Sequence, residues 1–140
     1  MNHPEQLLHY IWKYKLYSNQ YFTSSEGDRI EVLDTGILNS NAGPDFFNSK
    51  IKIANKTWAG NIEIHKSSSD WKRHNHHTDS AYNSIILHVV ENIDCEIYTQ
   101  DKRKIPQITI EIPDNVASNY TELLTSNLTI PCTNKLKSIS

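Results

Sequence analysis

The sequence predicts an α/β domain built on a mixed β-sheet. Apolar residues near the start recur with helical spacing, and from Ile30 onward several segments alternate with the period-two spacing of strands. Segment Ser84–Val90 is apolar on both faces apart from His88, which is typical of a strand covered on both sides. The predicted core order is helix-strand-strand-strand-helix-strand, followed by a two-strand extension and a C-terminal helix.

The first predicted helix covers residues 4–15. Pro4 suits a first helical turn, and the apolar stripe consists of Leu7, Leu8, Ile11 and Trp12. Three strands follow, the first from Ile30 to about Gly36. The second contains Ile51 and Ile53 and the third runs from Trp58 to Ile64, so that the turn at residues 54–56 makes the two a hairpin.

The second half of the chain begins with a short helix predicted around Thr78–Asn83, with Thr78 or Asp79 as its cap. The buried strand at 84–90 comes next, and Glu96–Thr99 and Gln107–Ile112 are predicted as the two further strands. The last helix starts at Pro113-Asp114, with Val116, Tyr120, Leu123 and Leu124 as its apolar stripe.

The length of 140 residues fits one domain, which we place at residues 1–128. Residues 129–140 are expected to be a tail without a pattern to bury, and the chain is expected to be the front part of a longer protein. A formal net charge of −2 excludes a protein that coats nucleic acid by charge alone. A nuclease that binds through a local patch is still allowed.

The expected location is the cytoplasm, with no membrane partner. The N-terminus lacks the pattern of a signal peptide, and no apolar run is long enough to cross a membrane. Cys95 and Cys132 are far apart and form no CxxC pair, which excludes a cysteine-based zinc ribbon.

Asp45, Glu63 and His65 are the first candidate site residues. Alternation places Glu63 and His65 on one face of the third strand, and Asp45 follows a Gly-Pro turn. Two carboxylates with water and phosphate oxygens suit Mg²⁺ or Mn²⁺. The spacing fits equally well an amphipathic edge hairpin whose Glu63 and His65 are in water.

A second polar cluster follows at residues 74–79. Zinc accepts histidine and carboxylate ligands, but these histidines have no recognised ligand spacing. We interpret His76 as part of an exposed loop and favour His74 and Asp79 as site residues. His88, in its apolar strand, needs a hydrogen-bond partner, for which His65 or Asp79 is expected.

Several motifs occur together in one order along nearly the whole chain. They are Asn-Ala-Gly-Pro-Asp-Phe at 41–46, Gly-Asn-Ile-Glu-Ile-His at 60–65, Ser-Ser-Asp-Trp at 68–71 and Ile-Leu-His-Val-Val at 86–90. The combination resembles an uncharacterised family of bacterial proteins that carries only a domain-of-unknown-function label. This resemblance implies no activity. Asn41, in the first of these motifs, is a further candidate of the polar cluster, with His74, Asp79 and His88.

A weaker resemblance implies an activity. The predicted core order is that of the PD-(D/E)xK phosphodiesterases, and Pro44-Asp45 followed by Glu63-x-His65 looks like their motif. The resemblance implies that Asp45 and Glu63 are metal ligands, that Glu5 adds an acid, and that His65 stands at the lysine position. A neutral imidazole there would act as a general base, whereas lysine supplies a fixed charge.

Three functions are therefore carried forward. The first is a Mg²⁺- or Mn²⁺-dependent, nuclease-like phosphodiesterase whose partner is nucleic acid, with Asp45, Glu63 and His65 as catalytic residues. The second is a non-catalytic binding or assembly module with structural histidines. The third is a zinc hydrolase or a zinc-stabilised fold that uses His65, His74 and Asp79, with His88 as a further candidate ligand.

Overall fold

The fold consists of one mixed β-sheet with helices packed against it, and a computed structural model describes it for residues 3–129, with side chains to residue 122. The first half contains α1 (Glu5–Lys13), β1 (Phe22–Thr23), β2 (Arg29–Asp34), β3 (Ile37–Leu38), β4 (Phe46–Ile53) and β5 (Lys56–Ser67). The second half contains α2 (Asp70–Arg73), 3-10 turns at His76–Thr78 and Ser80–Tyr82, β6 (Ile85–Asn92), β7 (Gln107–Thr109) and α3 (Asp114–Thr129).

Among the described residues, seven strands form the sheet in the order β1-β2-β4-β5-β6-β7, with β3 paired to β4. The strands from β1 to β5 pair antiparallel, whereas β5, β6 and β7 run parallel to one another. The predicted α/β class and mixed sheet are confirmed. The antiparallel half is joined by short turns, and the parallel step from β5 to β6 needs the crossover that α2 and the 3-10 turns provide.

β5 changes its main partner along its length. Residues 56–62 pair with β4, and residues 61–67 pair with β6. The last β4 pair joins Phe46 to Ile62, so the β4 ladder ends immediately before Glu63. From Glu63 to Ser67, β5 therefore extends past the first residue of β4. Asp45, the residue before β4, lies next to this extension.

A β-bulge in β6 sets which side chains share a face. Asn61 pairs with Ile85 but Ile62 pairs with Leu87, so Ile86 is an extra residue in β6. After the bulge, Glu63 pairs with His88, and His88 pairs with Gln107 of β7. Bulges of this kind re-aim side chains next to functional sites, and here three polar residues are aligned across three neighbouring strands.

The larger apolar core lies between α1 and one face of the sheet. The stripe Leu7, Leu8, Ile11 and Trp12 is fully buried against Ile62, Ile64, Leu87 and Val89, together with Ala117 of α3. The predicted stripe of α1 is thus confirmed, and Ile62 and Ile64 are on the face opposite to Glu63 and His65. Burying four large side chains of one helix contributes on the order of 1.5–3 kcal/mol each.

A smaller apolar cluster covers the other face of β6. It contains Trp71, Tyr82, Ile85, Ile97 and Ile105. The Trp71 indole is fully buried and donates a hydrogen bond from Nε1 to the Tyr98 carbonyl oxygen over 2.9 Å. This cluster supports the face of the sheet that carries the polar residues.

Several predicted elements differ in extent. The hairpin of β4 and β5 forms as expected, but β4 starts at Phe46, earlier than alternation indicated. The short helix predicted around Thr78–Asn83 is a 3-10 turn at Ser80–Tyr82, where the Asp79 carboxylate accepts a hydrogen bond from Ala81 N. The strand predicted at residues 96–99 is reduced to an isolated bridge between Tyr98 and Lys104.

No helix in the described part of the chain is long and apolar enough to cross a membrane. Of the tail predicted at residues 129–140, Thr129 is the last residue of α3 and the others lie outside the described residues.

Candidate functional site

Glu63 and His65 lie on one face of β5, as the alternation predicted, and both are buried, with 4% and 1% exposure. β5 is flanked by β4 and β6 and is not an edge strand. The alternative of an exposed amphipathic hairpin is therefore wrong for these two residues. A buried carboxyl and a buried imidazole both need polar partners, and those partners define the site.

The side chains of Asp45 and Glu63 each accept a hydrogen bond from a backbone N–H of the other residue's segment. The backbone N–H of Asp45 donates to Glu63 Oε1 over 3.1 Å, and the backbone N–H of Ile64 donates to Asp45 Oδ2 over 2.9 Å. The Asp45 side chain thus replaces the strand partner that β5 loses where the β4 ladder ends. These two bonds bring Asp45 and Glu63 together at the end of the β4 ladder.

Helix α1 adds a third acid and a histidine to this side of the site. His9 Nε2 lies 3.4 Å from Asp45 Oδ2, which is an ion-pair distance longer than a good hydrogen bond. Burial disfavours the charged imidazole, but Asp45 outweighs it and the net shift raises the pKa of His9. Burial, followed by the charge of Asp45, raises the pKa of Glu5, so the two carboxyl groups interact electrostatically.

His76 lies on the other side of Glu63. Its Nε2 is 3.0 Å from Glu63 Oε2, and its ring stacks on Tyr82 with centroids 3.7 Å apart. The interpretation of His76 as an exposed loop residue is wrong, because the short helix and the 3-10 turns fold the segment back over β5 and leave His76 only 7% exposed. His74, two residues earlier, remains exposed.

A chain of hydrogen bonds runs from His65 into the interior. His65 Nδ1 is 2.8 Å from His88 Nε2, His88 Nδ1 is 2.9 Å from Gln107 Oε1, and Gln107 Nε2 donates to the Cys95 carbonyl over 2.8 Å. His65 is one of the two partners expected for His88, and the structure confirms it. Gln107 and His9 were not predicted as site residues, and only the strand register that pairs His88 with Gln107 could have indicated the former.

The direction of each bond in this chain follows from its inner end. A carbonyl oxygen only accepts, so the amide nitrogen of Gln107 faces Cys95 and its Oε1 faces His88. His88 therefore carries its proton on Nδ1, and its bare Nε2 accepts the proton of His65 Nδ1. In neutral His65, Nε2 is then left without a proton and faces Glu63 Oε2 at 3.3 Å.

Burial shifts the pKa values of Glu63 and of the three buried histidines in the direction that favours their neutral forms. Desolvation, followed by the charge of Asp45, raises the pKa of Glu63 to about 9. Desolvation and the neighbouring histidines lower the pKa of His65 to about 2. Desolvation, opposed by the bond to Gln107, lowers the pKa of His88 to about 4, and desolvation also lowers the pKa of His76. Such clustered shifts are typical of functional sites.

Two residues of the predicted polar cluster lie elsewhere. Asp79 is exposed and caps the 3-10 turn at Ser80–Tyr82. Asn41 is exposed in the loop before Asp45, where its N–H donates to Asn39 Oδ1. In the structure both residues have roles in the backbone conformation of their loops.

Three of the predicted or nearby histidines are close enough to share a metal ion. One ligand nitrogen from each of His65, His74 and His76 lies within 4.8 Å of the others. With Glu63 between His65 and His76, the arrangement offers imidazole nitrogens on one side of a carboxyl group and further carboxyl groups on the other.

The same constellation lies inside the region that a known family model matches. That model, described as a protein of unknown function (DUF2851), covers residues 5–140. The chain belongs to the DUF2851 family. The matched region includes every residue of the candidate site described above, from Glu5 on α1 to Gln107 on β7. No curated protein and no solved structure matches this DUF2851 chain.

Proposed function

We propose that this domain is a metal-dependent, nuclease-like phosphodiesterase that acts on nucleic acid. The observation that supports it most is the pair of reciprocal backbone bonds that holds the Asp45 and Glu63 carboxyl groups together at the end of the β4 ladder. Two fixed carboxylates, with Glu5 nearby, provide oxygen ligands of the kind that Mg²⁺ and Mn²⁺ prefer. We call Glu5, Asp45 and Oε1 of Glu63 the oxygen subsite.

The proposed chemistry follows from the charge of a bound divalent ion. Such an ion lowers the pKa of a bound water and neutralises charge that develops on a phosphodiester during in-line displacement. Asp45 and Glu63 would hold the ion, and their placement immediately before β4 and within β5 would fix the position of the water. Burial and the charge of Asp45 raise the pKa of Glu63, and a bound cation would oppose both effects.

The order of elements supports the same proposal. When the two-residue strands β1 and β3 and the 3-10 turns are set aside, α1, β2, β4, β5, α2 and β6 occur in this order along the chain, which is the order that PD-(D/E)xK phosphodiesterases have. Asp45 precedes the second of these strands and Glu63 lies on the third, where that motif has its acids.

The surface beside His9 supports a nucleic-acid substrate. Tyr10, Tyr14 and Lys13 line a groove together with His9, and Lys13 Nζ lies 5.3 Å from the centre of the Tyr14 ring. Tyr10 and Tyr14 are 40% and 55% exposed. Exposed aromatic rings next to a cation are what single-stranded bases stack on, and His9 connects this groove to Asp45.

The role of His65 differs from that of the lysine whose place it takes. Its imidazole is neutral, because burial and the neighbouring histidines lower its pKa to about 2. It therefore does not supply the fixed positive charge that a lysine would. Another source of positive charge is needed on that side of Glu63.

The test is a calorimetric titration with Mn²⁺ beside a cleavage assay on single- and double-stranded DNA and RNA. We expect the unsubstituted chain to bind Mn²⁺ and cleave at least one substrate, and Asp45→Asn and Glu63→Gln to lose both. Glu31→Gln, an exposed acid on β2, is the matched control and should retain both. Mn²⁺ binding that survives Asp45→Asn and Glu63→Gln would refute the proposal, and a folded chain that binds no metal would favour a non-catalytic binding module.

A further inference from the structure

We propose that a transition-metal ion, of the Zn²⁺ class, is bound on the other side of Glu63 by His65, His74 and His76. We call these three imidazoles and Oε2 of Glu63 the histidine subsite. Glu63 would then bridge two metal ions, one in each subsite. The histidine subsite is independent of the phosphodiesterase proposal, and only the bridging role of Glu63 rests on it.

The first argument is the distribution of protons around His65. The hydrogen-bond chain through His88 and Gln107 leaves His65 Nε2 with a lone pair. That lone pair faces Glu63 Oε2 at 3.3 Å. Two acceptors at this distance repel unless a proton or a metal ion lies between them, and we infer that a metal ion takes the place of the proton that Glu63 would otherwise carry.

The second argument is the spacing of the candidate ligand atoms. Glu63 Oε2 lies 3.3 Å from His65 Nε2 and 3.0 Å from His76 Nε2. In a tetrahedral zinc site with bonds of about 2.0–2.1 Å, ligand atoms are about 3.3 Å apart. The nitrogen of His74 lies within 4.8 Å of the other two nitrogens. A small movement of the exposed His74 side chain towards them would bring its nitrogen to a ligand position.

The third argument is the support behind the ligands. Metal-binding histidines typically donate their second ring N–H to a neighbouring acceptor, which fixes the ring and its tautomer. His65 Nδ1 does this with His88 Nε2, and the bond is held in turn by Gln107. His88 and Gln107 are thus positioning residues, and neither is in contact with the ion.

The donor set also determines the class of ion. Three imidazoles favour Zn²⁺ and neighbouring transition metals, whereas Mg²⁺ prefers an all-oxygen environment. His65 and His76 are buried and His74 is exposed, so an ion can reach the subsite from solvent through His74. The bound ion would supply the positive charge that neutral His65 lacks at the lysine position.

The test uses the untagged full chain, stripped with a chelator and titrated by calorimetry with Zn²⁺ alone. We expect one high-affinity Zn²⁺ per chain, weakened at least about tenfold by His74→Ala and by His76→Ala, since losing even an outer partner of a ligand typically costs that much. His77→Ala is the matched control, because His77 is adjacent in sequence but outside the cluster, and it should bind like the unsubstituted chain. Co²⁺ in place of Zn²⁺ should give the visible absorption of a tetrahedral centre.

Two results would overturn the inference. One is a folded chain that binds no Zn²⁺, which would mean that a proton on Glu63 fills the gap to His65. The other is equal Zn²⁺ affinity for His74→Ala and the unsubstituted chain. His74 is exposed, so its replacement leaves the apolar cluster intact, and a thermal melt of the metal-free variant verifies this.

A second pair of variants tests the positioning residues. Gln107→Leu removes the acceptor for His88 Nδ1 and should weaken Zn²⁺ binding about 10–100-fold, while Gln107→Glu retains an acceptor there and should restore much of it. Asp45→Asn separates the two proposals, because it should abolish Mn²⁺ binding and cleavage but leave Zn²⁺ binding. Zn²⁺ binding without any cleavage would refute the phosphodiesterase and leave the histidine subsite standing.

Discussion

Glu63 has a different environment at each of its two oxygens. Oε1 accepts a hydrogen bond from the backbone of Asp45, and Oε2 lies between the Nε2 atoms of His65 and His76. In the absence of metal, burial and the nearby Asp45 raise the pKa of this carboxyl to about 9, so it is protonated at neutral pH. The residue is therefore a neutral acid in the metal-free chain, and a cation bound as we propose would convert it to a carboxylate.

This shift predicts how stability depends on pH in the metal-free chain. The pKa of Glu63 is about 9 when folded and near 4.5 when unfolded, so the folded state binds the extra proton between these values. By linkage, the contribution of Glu63 to the free energy of unfolding falls as pH rises through this window and is lost above about pH 9. Glu63→Gln has no such proton, so the free energy of unfolding of the unsubstituted chain should decline relative to that of Glu63→Gln as pH rises.

Urea denaturation in the presence of a chelator, from pH 5 to pH 9, measures this difference. Glu31→Gln serves as the reference, because Glu31 is exposed on β2. Its free energy of unfolding should differ from that of the unsubstituted chain by the same amount at every pH. A flat difference for Glu63→Gln as well would show that Glu63 is ionised at neutral pH in the folded state.

At the scale of elements, the site depends on β5 and on the bulge in β6. β5 leaves β4 at Ile62 and continues beside β6, and Ile86 is the extra residue that brings His88 opposite Glu63. The bulge is accommodated because residue 60 is glycine. A Cβ at Gly60 would lie 2.5 Å from Ile86 Cγ2 and 2.9 Å from the carbonyl oxygen of Ser84.

Gly60→Ala is therefore expected to destabilise the domain by about 1–3 kcal/mol, the typical cost of overpacking. Because the new methyl group pushes on Ile86, the His65–His88 pairing should be disturbed and Zn²⁺ binding weakened as well. Ala59→Ser, at the exposed neighbouring position, is the control. Urea denaturation and Zn²⁺ calorimetry check both effects, and unchanged values for Gly60→Ala would mean that the bulge has room to shift.

The sequence predicted the elements with strong periodicity and missed what depends on tertiary contacts. The stripe of α1 and the alternation of β5 each follow from residues a few positions apart, and both are confirmed. The burial of His76 and the pairing of His88 with Gln107 follow from a crossover and a strand register, which local patterns do not encode. The short strands β1 and β3 have two residues each, too few to show a period.

At the scale of the whole molecule, the site joins parts of the chain that are far apart in sequence. Its residues come from α1, the start of β4, the middle of β5, the crossover and the two parallel strands β6 and β7. One apolar core lies on each face of the sheet, and the polar residues lie on the face that Trp71 and Tyr82 cover. A ligand held by these elements would connect them and stabilise the domain as a unit.

Metal binding is therefore expected to raise the thermal stability of the domain. A ligand that binds only the folded state adds about 2.7 kcal/mol at a free concentration of 100 times its Kd, so Zn²⁺ should raise the melting temperature by several degrees, and a chelator should reverse the effect. His77→Ala should respond like the unsubstituted chain. A melting temperature that rises equally for His74→Ala would place the ion somewhere other than the histidine subsite.

The hydrogen-bonded chain of His65, His88 and Gln107, which joins β5, β6 and β7, has a consequence for how the sequence can change over time. Each of the three side chains is useful only while the next one supplies a matching donor or acceptor, because the bond directions are set from the Cys95 carbonyl outward. A single replacement leaves a buried polar atom unsatisfied, at a cost of about 1–3 kcal/mol. Homologues should therefore keep positions 65, 88 and 107 as a set or exchange them together, so that substitutions at these positions are correlated.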